Sequence, residues 1–484
     1  MNARAAAAVD LGATSGRVLV GTFDRDAFRV ADIARFPNRP VRTPDGLHWS
    51  ILELHRQVLE GLASAAHTAP GIASIGIDGW AIDYGLLRGG RLLGPPYSYR
   101  DERWRTAADR VHARIPAPEL YQRNGLQHLP FTTIHQLVAD QESGILPLVD
   151  RLLLLPDLFT YWLTGVEAAE RTNASTTGLL SVTSGQWDVA LADLLGIPAG
   201  ILPPVIDPGT ELGALTPEVG HEIGAPGVPV VAVGSHDTAS AVVAVPATGD
   251  DFAYISCGTW SLVGVELEQP VRSEAARRSG FTNEAGVDGR TRFLHNVMGL
   301  WLLTESIRHW QRTEPGIDLD ELLGAAAAAA PPAATFDPDD ECFLAPGDMP
   351  ARIADWLTAR DLPVPRDRAE LVRCILQSLA EAYADAIHRA AALSGRAVRT
   401  VHLVGGGSRN ALLCRLTANA TGLPVIAGPI EASAIGNLLV QARALGWVRG
   451  GLEDLRRLVA RSIGTTTYLP GGTVRRPADE TSRR

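Results

Sequence analysis

Two stretches far apart in the chain spell the same small element, and this repetition limits the fold more than any other feature. Ala6-Ala7-Ala8-Val9 reads as a strand, residues 10–16 as a glycine-rich turn and residues 17–23 as the returning strand, with a third strand over 28–33. Residues 252–256 again read as a strand, Cys257-Gly258-Thr259 as a tight turn and residues 260–265 as its return. Each hairpin is followed by an apolar run that stops at an acid or a glycine. The run 72–78 ends in Asp78, with Trp80 and Asp83 close behind, and 400–404 leads into Gly405-Gly406-Gly407. Apolar residues at helical spacing predict helices over 51–65, 104–115, 134–141, 297–311, 369–393, 409–420 and 432–445, with another strand at 152–155. The pattern predicts an α/β fold that arose by duplication. At 484 residues the chain also exceeds a single core. The expected division is a first domain over 1–243, a second over 244–470 and a disordered tail over 471–484.

The seam between the halves carries the most suggestive polar residues. Residues 229–233 form a short apolar run, Gly234-Ser235-His236-Asp237-Thr238 follow, and small apolar residues then continue to Ala244. A strand that ends in polar residues at a helix start is where open α/β proteins place chemistry. Taken alone, the stretch favours Asp237 as a helix cap over Asp237 as a catalytic base.

Composition narrows the chemistry. All 44 basic residues are arginine, so the lysine of a Walker A loop, of a Schiff-base enzyme and of a protein kinase is missing. A formal net charge of −10, with no basic run, argues against nucleic-acid binding. The four cysteines are scattered without a CxxC, which suits a reducing compartment and gives no metal site. Asp10 interrupts the N-terminal alanine run before a signal sequence could form, and no apolar stretch is long enough to span a bilayer. The chain is therefore expected to be soluble and cytoplasmic, with no membrane partner. It is further expected to act as a monomer or a small homo-oligomer on small molecules.

Three glycine-rich turns at strand ends stand out: Gly12 to Gly16, Gly258-Thr259 and Gly405 to Gly407. Glycine lets backbone N–H groups approach phosphate oxygens, and Thr or Ser hydroxyls add donors. With no lysine available, three such turns on two similar halves point to a nucleotide held by backbone contacts. A side chain at Gly16 is expected to crowd those phosphates. Asp10, beside the first turn, could hold Mg²⁺ through water or simply bond its own backbone. Asp237 could take the proton from a hydroxyl that attacks phosphorus.

These residues carry a resemblance. The runs from Val9 to Arg17, Gly234 to Ser240, Ser256 to Ser261 and Val404 to Gly407 together resemble the FGGY carbohydrate kinases. Supporting runs are Tyr99-Arg100-Asp101, Leu155-Pro156-Asp157, Thr172-Asn173-Ala174 and Asn296-Val297-Met298-Gly299. The resemblance spans nearly the whole chain and is strongest to the members acting on L-rhamnulose. It implies two ribonuclease-H-like domains of the actin and hexokinase type, with a nucleotide and sugar cleft between them. It implies ATP as phosphoryl donor, Mg²⁺, and transfer to the 1-hydroxyl of L-rhamnulose. By the same resemblance Ala13, Thr14, Ser15, Gly16 and Arg17 would hold ATP phosphates, and Thr259, Thr304 and Gly406 would line the nucleotide site. Ala81, His236, Asp237, Thr238 and Asn296 would meet the sugar, with Asp237 as the proton acceptor.

Two positions depart from the pattern. Ala81 replaces a glycine on the sugar side, and Thr304 replaces a glutamine on the nucleotide side. The alternatives are a kinase of the same family for another ketose, such as fuculose or xylulose, and a non-kinase ATPase on the same fold.

Overall fold

A computed structural model describes residues 4–24, 27–472 and 474–475. The tail expected over 471–484 lies largely outside the described residues. The chain forms two compact units. The first comprises Met1–Thr248, Glu266–Phe293 and Ala432–Ser462, the second Gly249–Val265, Leu294–Glu431 and Ile463–Arg484.

The first unit is built on a six-stranded sheet. Its strands are β1 (Arg4–Leu11), β2 (Ser15–Phe23), β3 (Phe28–Pro37), β4 (Ile75–Gly79), β5 (Glu211–Ala214) and β6 (Pro229–Val231). They lie in the order β5-β6-β4-β1-β2-β3. β1 and β2 form the expected antiparallel hairpin, while β4 runs parallel to both β1 and β6. A strand buried on both faces reads as an unbroken apolar run, which explains why β1 is rich in alanine instead of alternating. Small side chains also let helices come close. Gln441, on the helix Ala432–Ala444, donates to the Ala7 carbonyl at 3.0 Å and accepts from Ser74 Oγ at 2.6 Å. The helix Ile51–Thr68 buries Ile51, Leu54, Val58, Leu62 and Ala65, a stripe at helical spacing, and packs on β2 and β3.

The second unit repeats this core. β7 (Phe252–Cys257) and β8 (Ser261–Leu267) form a hairpin, and β9 (Thr400–Val404) runs parallel to β7. β10 (Val425–Ala427) and β11 (Thr466–Tyr468) extend the sheet beyond β9. The helix Arg368–Ser394 packs against Ala411–Thr421 and ends at Gly395, which adopts φ 72°. The helix expected over 297–311 begins only at Trp301, because Val297 closes the strand Thr291–Val297 and Gly299 has a positive φ of 59°. Among the described residues no helix is long and apolar enough to cross a membrane.

Candidate active site

Three chain segments leave the first sheet at the same edge. Asp10 on β1 stands opposite Asp78 on β4, and the next pair is Leu11 with Gly79. Gly79 bridges in parallel to His236, and its N–H donates to the Ser235 carbonyl at 2.9 Å. The carboxyl ends of parallel strands are where such sheets bind ligands, so register alone gathers Asp10, Asp78 and the 235–238 segment. Asp10 and Asp78 are almost fully buried, but the Asp237 side chain is 30% exposed. Asp237 is thus the acid best placed to meet a substrate.

The helix Asp237–Val243 shows why the local sequence was ambiguous. Its N-cap is His236, which makes no side-chain cap bond, and Asp237 is the first helical residue. The Asp237 carboxylate accepts from Thr238 Oγ1 at 3.1 Å and stands 3.6 Å from His236 Nε2. It is not used as a cap. The backbone before it is held from another element. Glu170, fully enclosed, accepts from the Ser235 N–H at 2.9 Å and caps the short helix Arg171–Ala174. Thr172 Oγ1 receives the His236 N–H at 3.3 Å.

Electrostatics distinguishes the acids. Burial first, then Asp10 and Asp237 nearby, push the Asp78 pKa well above the usual carboxylate range. Asn437 opposes this by donating to Asp78 Oδ2 at 2.7 Å, and Arg17 opposes it by charge. The other oxygen, Oδ1, is buried without a partner. Arg17 donates from Nε and Nη2 to Asp10 Oδ2 at 3.0 and 2.9 Å. A cluster of oxygen ligands with an unsatisfied buried oxygen fits a hard cation such as Mg²⁺.

A second buried network holds His236. Arg292, with no exposed surface, lies 3.0 Å from Glu284 Oε2 and 3.1 Å from His236 Nδ1. Glu284 Oε2 is itself 3.2 Å from His236 Nδ1. Burial alone would raise the Glu284 pKa, but Arg292 and His236 outweigh it and hold the carboxylate below its ordinary range. The imidazole is therefore fixed between this pair and Asp237.

The remaining residues expected in the first unit lie at two places. Ala13 and Thr14 stand in the β1–β2 turn, while Ser15, Gly16 and Arg17 already open β2, Gly16 paired with Leu11 and Arg17 with Asp10; Thr14 and Ser15 are exposed. A Cβ on Gly16 would stand 2.2 Å from the Phe36 ring, so packing alone demands glycine there, whatever lies beyond the turn. Ala81 is half-buried and precedes Ile82, a non-glycine residue at φ 69°. That turn is anchored by Asp83, which accepts from Trp49 Nε1 at 2.6 Å, Trp80 Nε1 at 3.1 Å and Gln136 Nε2 at 2.9 Å. Burial raises the Asp83 pKa to about 6 despite these donors.

The second unit collects its own set. Leu300 N–H donates to the Gly258 carbonyl at 3.1 Å and Trp301 N–H to the Thr259 carbonyl at 3.1 Å, so the hairpin tip sits on the start of the helix Trp301–Trp310. Thr304 is exposed in the first turn of that helix. Gly405 adopts φ 83°, and a Cβ there would stand 2.9 Å from the Cys257 carbonyl oxygen. Gly406, by contrast, is exposed and would meet nothing within 4 Å. Thr259, Thr304 and Gly406 are thus brought to neighbouring strand and helix ends. Asn296 is half-buried on the strand Thr291–Val297. Cys257 is buried, its thiol pushed above its usual pKa by that burial, and is a packing residue.

Asp78, Glu170, Glu284, Arg292 and Asn437 escaped the sequence reading as site residues. For Asp78 a signal existed, since its strand ends in an acid just as β1 does. The others come from distant segments and follow no local spacing.

The chain is similar to known proteins over nearly its whole length. The FGGY carbohydrate kinase N-terminal domain matches residues 5–244 and the C-terminal domain residues 253–445. A rhamnulokinase of Bacteroides thetaiotaomicron is 41% identical over 96% of this chain and 95% of its own length. A rhamnulokinase of Pectobacterium carotovorum is 42% identical over 96% of this chain and 92% of its own. Among solved structures, a ligand-bound xylulose kinase from Lactobacillus acidophilus superposes with TM-score 0.78 at 16% identity, covering 97% of this chain and 94% of that one. A xylulose kinase from Rhodospirillum rubrum gives TM-score 0.75 at 20% identity, covering 98% and 95%. These two structures share the two-domain α/β fold, while the sequence relatives and the domain matches carry the assignment further: the chain belongs to the FGGY family of carbohydrate kinases.

Proposed function

We propose that this sugar kinase transfers the γ-phosphoryl group of ATP to the 1-hydroxyl of L-rhamnulose, giving L-rhamnulose 1-phosphate and ADP in the breakdown of L-rhamnose. The observation that carries the substrate is the near-complete alignment with two rhamnulokinases at 41% and 42% identity. In this mechanism the Asp237 carboxylate takes the proton of the sugar hydroxyl as that oxygen bonds to the γ-phosphorus, and the bond to the bridging oxygen of ADP breaks. The partial exposure of Asp237 and its freedom from a capping role support that assignment. His236, fixed by Glu284 and Arg292, and Thr238, beside Asp237, bind and orient the sugar, together with Asn296 and the turn at Ala81.

Ala13 to Arg17 bind the ATP phosphates, and Thr259, Thr304 and Gly406 the rest of the nucleotide. Asp10 and Asp78 are the residues suited to hold Mg²⁺ with ATP, and the ion would neutralise phosphate charge. An enzyme that consumes ATP works where ATP is kept, so the cytoplasm is the proposed location, with the chain acting as a monomer or small homo-oligomer. The division near residues 243 and 244 then leaves the base and the first phosphate-binding turn in one part and the rest of the nucleotide site in the other.

One observation favours a second ketose, such as xylulose or fuculose. Ala81 adds a methyl group where glycine is expected, on a turn whose backbone is firmly anchored. A coupled ADP-release assay with L-rhamnulose, fuculose and xylulose tests the choice. The highest kcat/KM is expected for L-rhamnulose, and a rate no better than with xylulose would overturn the substrate. Sugar-independent ATP hydrolysis as fast as the stimulated rate would overturn the kinase mechanism itself.

A further inference from the structure

Away from the acids, the first unit gathers three histidines that the phosphoryl-transfer mechanism does not use. His112 comes from the helix Ala107–Arg114, His135 from the first turn of the helix Thr133–Glu142, and His128 from the loop before that turn. One ring nitrogen of each lies within 4.8 Å of the others, and His112 Nε2 is 3.3 Å from His128 Nδ1. Two nitrogens held tetrahedrally at about 2.0–2.1 Å from one metal ion stand roughly 3.3–3.4 Å apart, so this edge is already at bonding spacing. His135 is only 3% exposed, and neither ring nitrogen makes a well-formed hydrogen bond, the Leu129 backbone offering only a weak one. An unsatisfied buried polar atom costs free energy, and a metal bond would remove that cost.

A cavity of about 60 Å³ adjoins the rings, bordered also by Tyr121, Thr132 and Arg277. A bound water requires only about 10–15 Å³, so the space suffices for an ion and a water. The Arg277 charge is matched by Glu274, 2.6 Å away.

We infer that His112, His128 and His135 form a binding site for a divalent transition metal of the zinc class, three imidazoles supplying ligands and water the fourth position. Three nitrogen donors without a carboxylate select zinc over magnesium, which requires oxygen ligands. Burial and the two neighbouring imidazoles press the His135 pKa down to about 3, so this ligand is neutral, as metal binding requires. The site ties two helices to one loop. The helix bearing His135 also supplies Thr133, which donates to the Ile82 carbonyl at 2.6 Å, and Gln136, which donates to Asp83. Metal bound here stiffens the support of the Ala81 turn.

The test uses the full-length protein, stripped with a chelator and free of nucleotide and sugar. Calorimetric titration with zinc sulfate is expected to give one equivalent per chain and a higher melting temperature. Cobalt(II) should show the strong visible absorption of a tetrahedral site. His128→Gln, at an exposed position, is expected to weaken zinc binding at least about tenfold. Its zinc-free activity with Mg²⁺ and ATP should stay unchanged. His135→Gln serves as a second variant once circular dichroism shows it folded, and it should abolish the cobalt spectrum. Substoichiometric zinc binding by the native chain would overturn the site, as would equal binding by the native protein and His128→Gln.

Discussion

The two units share one arrangement, a hairpin beside a parallel strand, yet their strand ends differ in kind. In the first unit β1 and β4 bring Asp10 and Asp78 face to face, with Asp237 on the neighbouring segment. In the second unit β7 and β9 pair Ser256 with Val404, and the chain then passes into Cys257-Gly258 and Gly405-Gly406. One topology thus ends in carboxylates and the other in bare backbone. Carboxylates can accept protons and hold cations, whereas glycine exposes N–H groups that suit phosphates. The chemistry of each half follows from what is presented at the strand end, not from the path of the chain.

The largest expected effect lies on the acidic side. Asp237→Asn should lower kcat by about 10²–10⁴, the usual worth of a positioned general base, with KM for the sugar changing less. Steady-state kinetics that match the native enzyme would remove Asp237 from the mechanism and erase the contrast between the units.

The counterpart on the glycine side is Gly405→Ala. Gly405 combines φ 83° with the close approach to the Cys257 carbonyl, so a side chain costs roughly 1–3 kcal/mol. The expected result is a lower melting temperature and KM for ATP raised about tenfold, with sugar affinity unaltered. A fall in stability with KM for ATP unchanged would make this loop structural only.

Asp78 sharpens the comparison through pH. Its folded pKa is raised, so the folded state holds a proton that the unfolded chain would release. The stability from this group is full below the unfolded carboxylate pKa of about 4 and is lost as pH rises through the folded value. Asp78→Asn, which can still accept from Asn437, removes that loss. Thermal melts should find the variant more stable than native at alkaline pH, with the gap closing toward about pH 4. A gap that is constant with pH would show that Asp78 is not strained by its neighbours. Activity should fall too, because the cation site proposed for Asp10 and Asp78 loses one of its carboxylates.

The smallest effect expected is at Ala81. Ala81→Gly should raise kcat/KM for L-rhamnulose relative to xylulose by about tenfold, the low end for one methyl group in a pocket. An unaltered ratio in the coupled assay would place the determinant of sugar choice elsewhere.

Much of the frame was legible in the sequence because it is local. Strand and helix periodicity, the glycine turns and the strand-to-helix step at Asp237 are all set by residues within a few positions of one another. Asp10 and the glycine-rich turn after it were legible for the same reason, although β2 begins at Ser15, inside the stretch 10–16 read as turn. The boundary at 297–301 was not, since apolar spacing continues across Gly299 while the backbone reverses there.

What only tertiary structure decided is the company each acid keeps. Sequence supplied Asp237 but could not say whether it capped a helix. Packing gave the cap position to His236 and left the carboxylate partly exposed. Glu170, Glu284, Arg292 and Asn437 reach the site from segments up to hundreds of residues away, through the sheet register and the return of the helix Ala432–Ala444 to the first unit. Desolvation and charge coupling act through space, so the raised pKa of Asp78 has no trace in its neighbours along the chain.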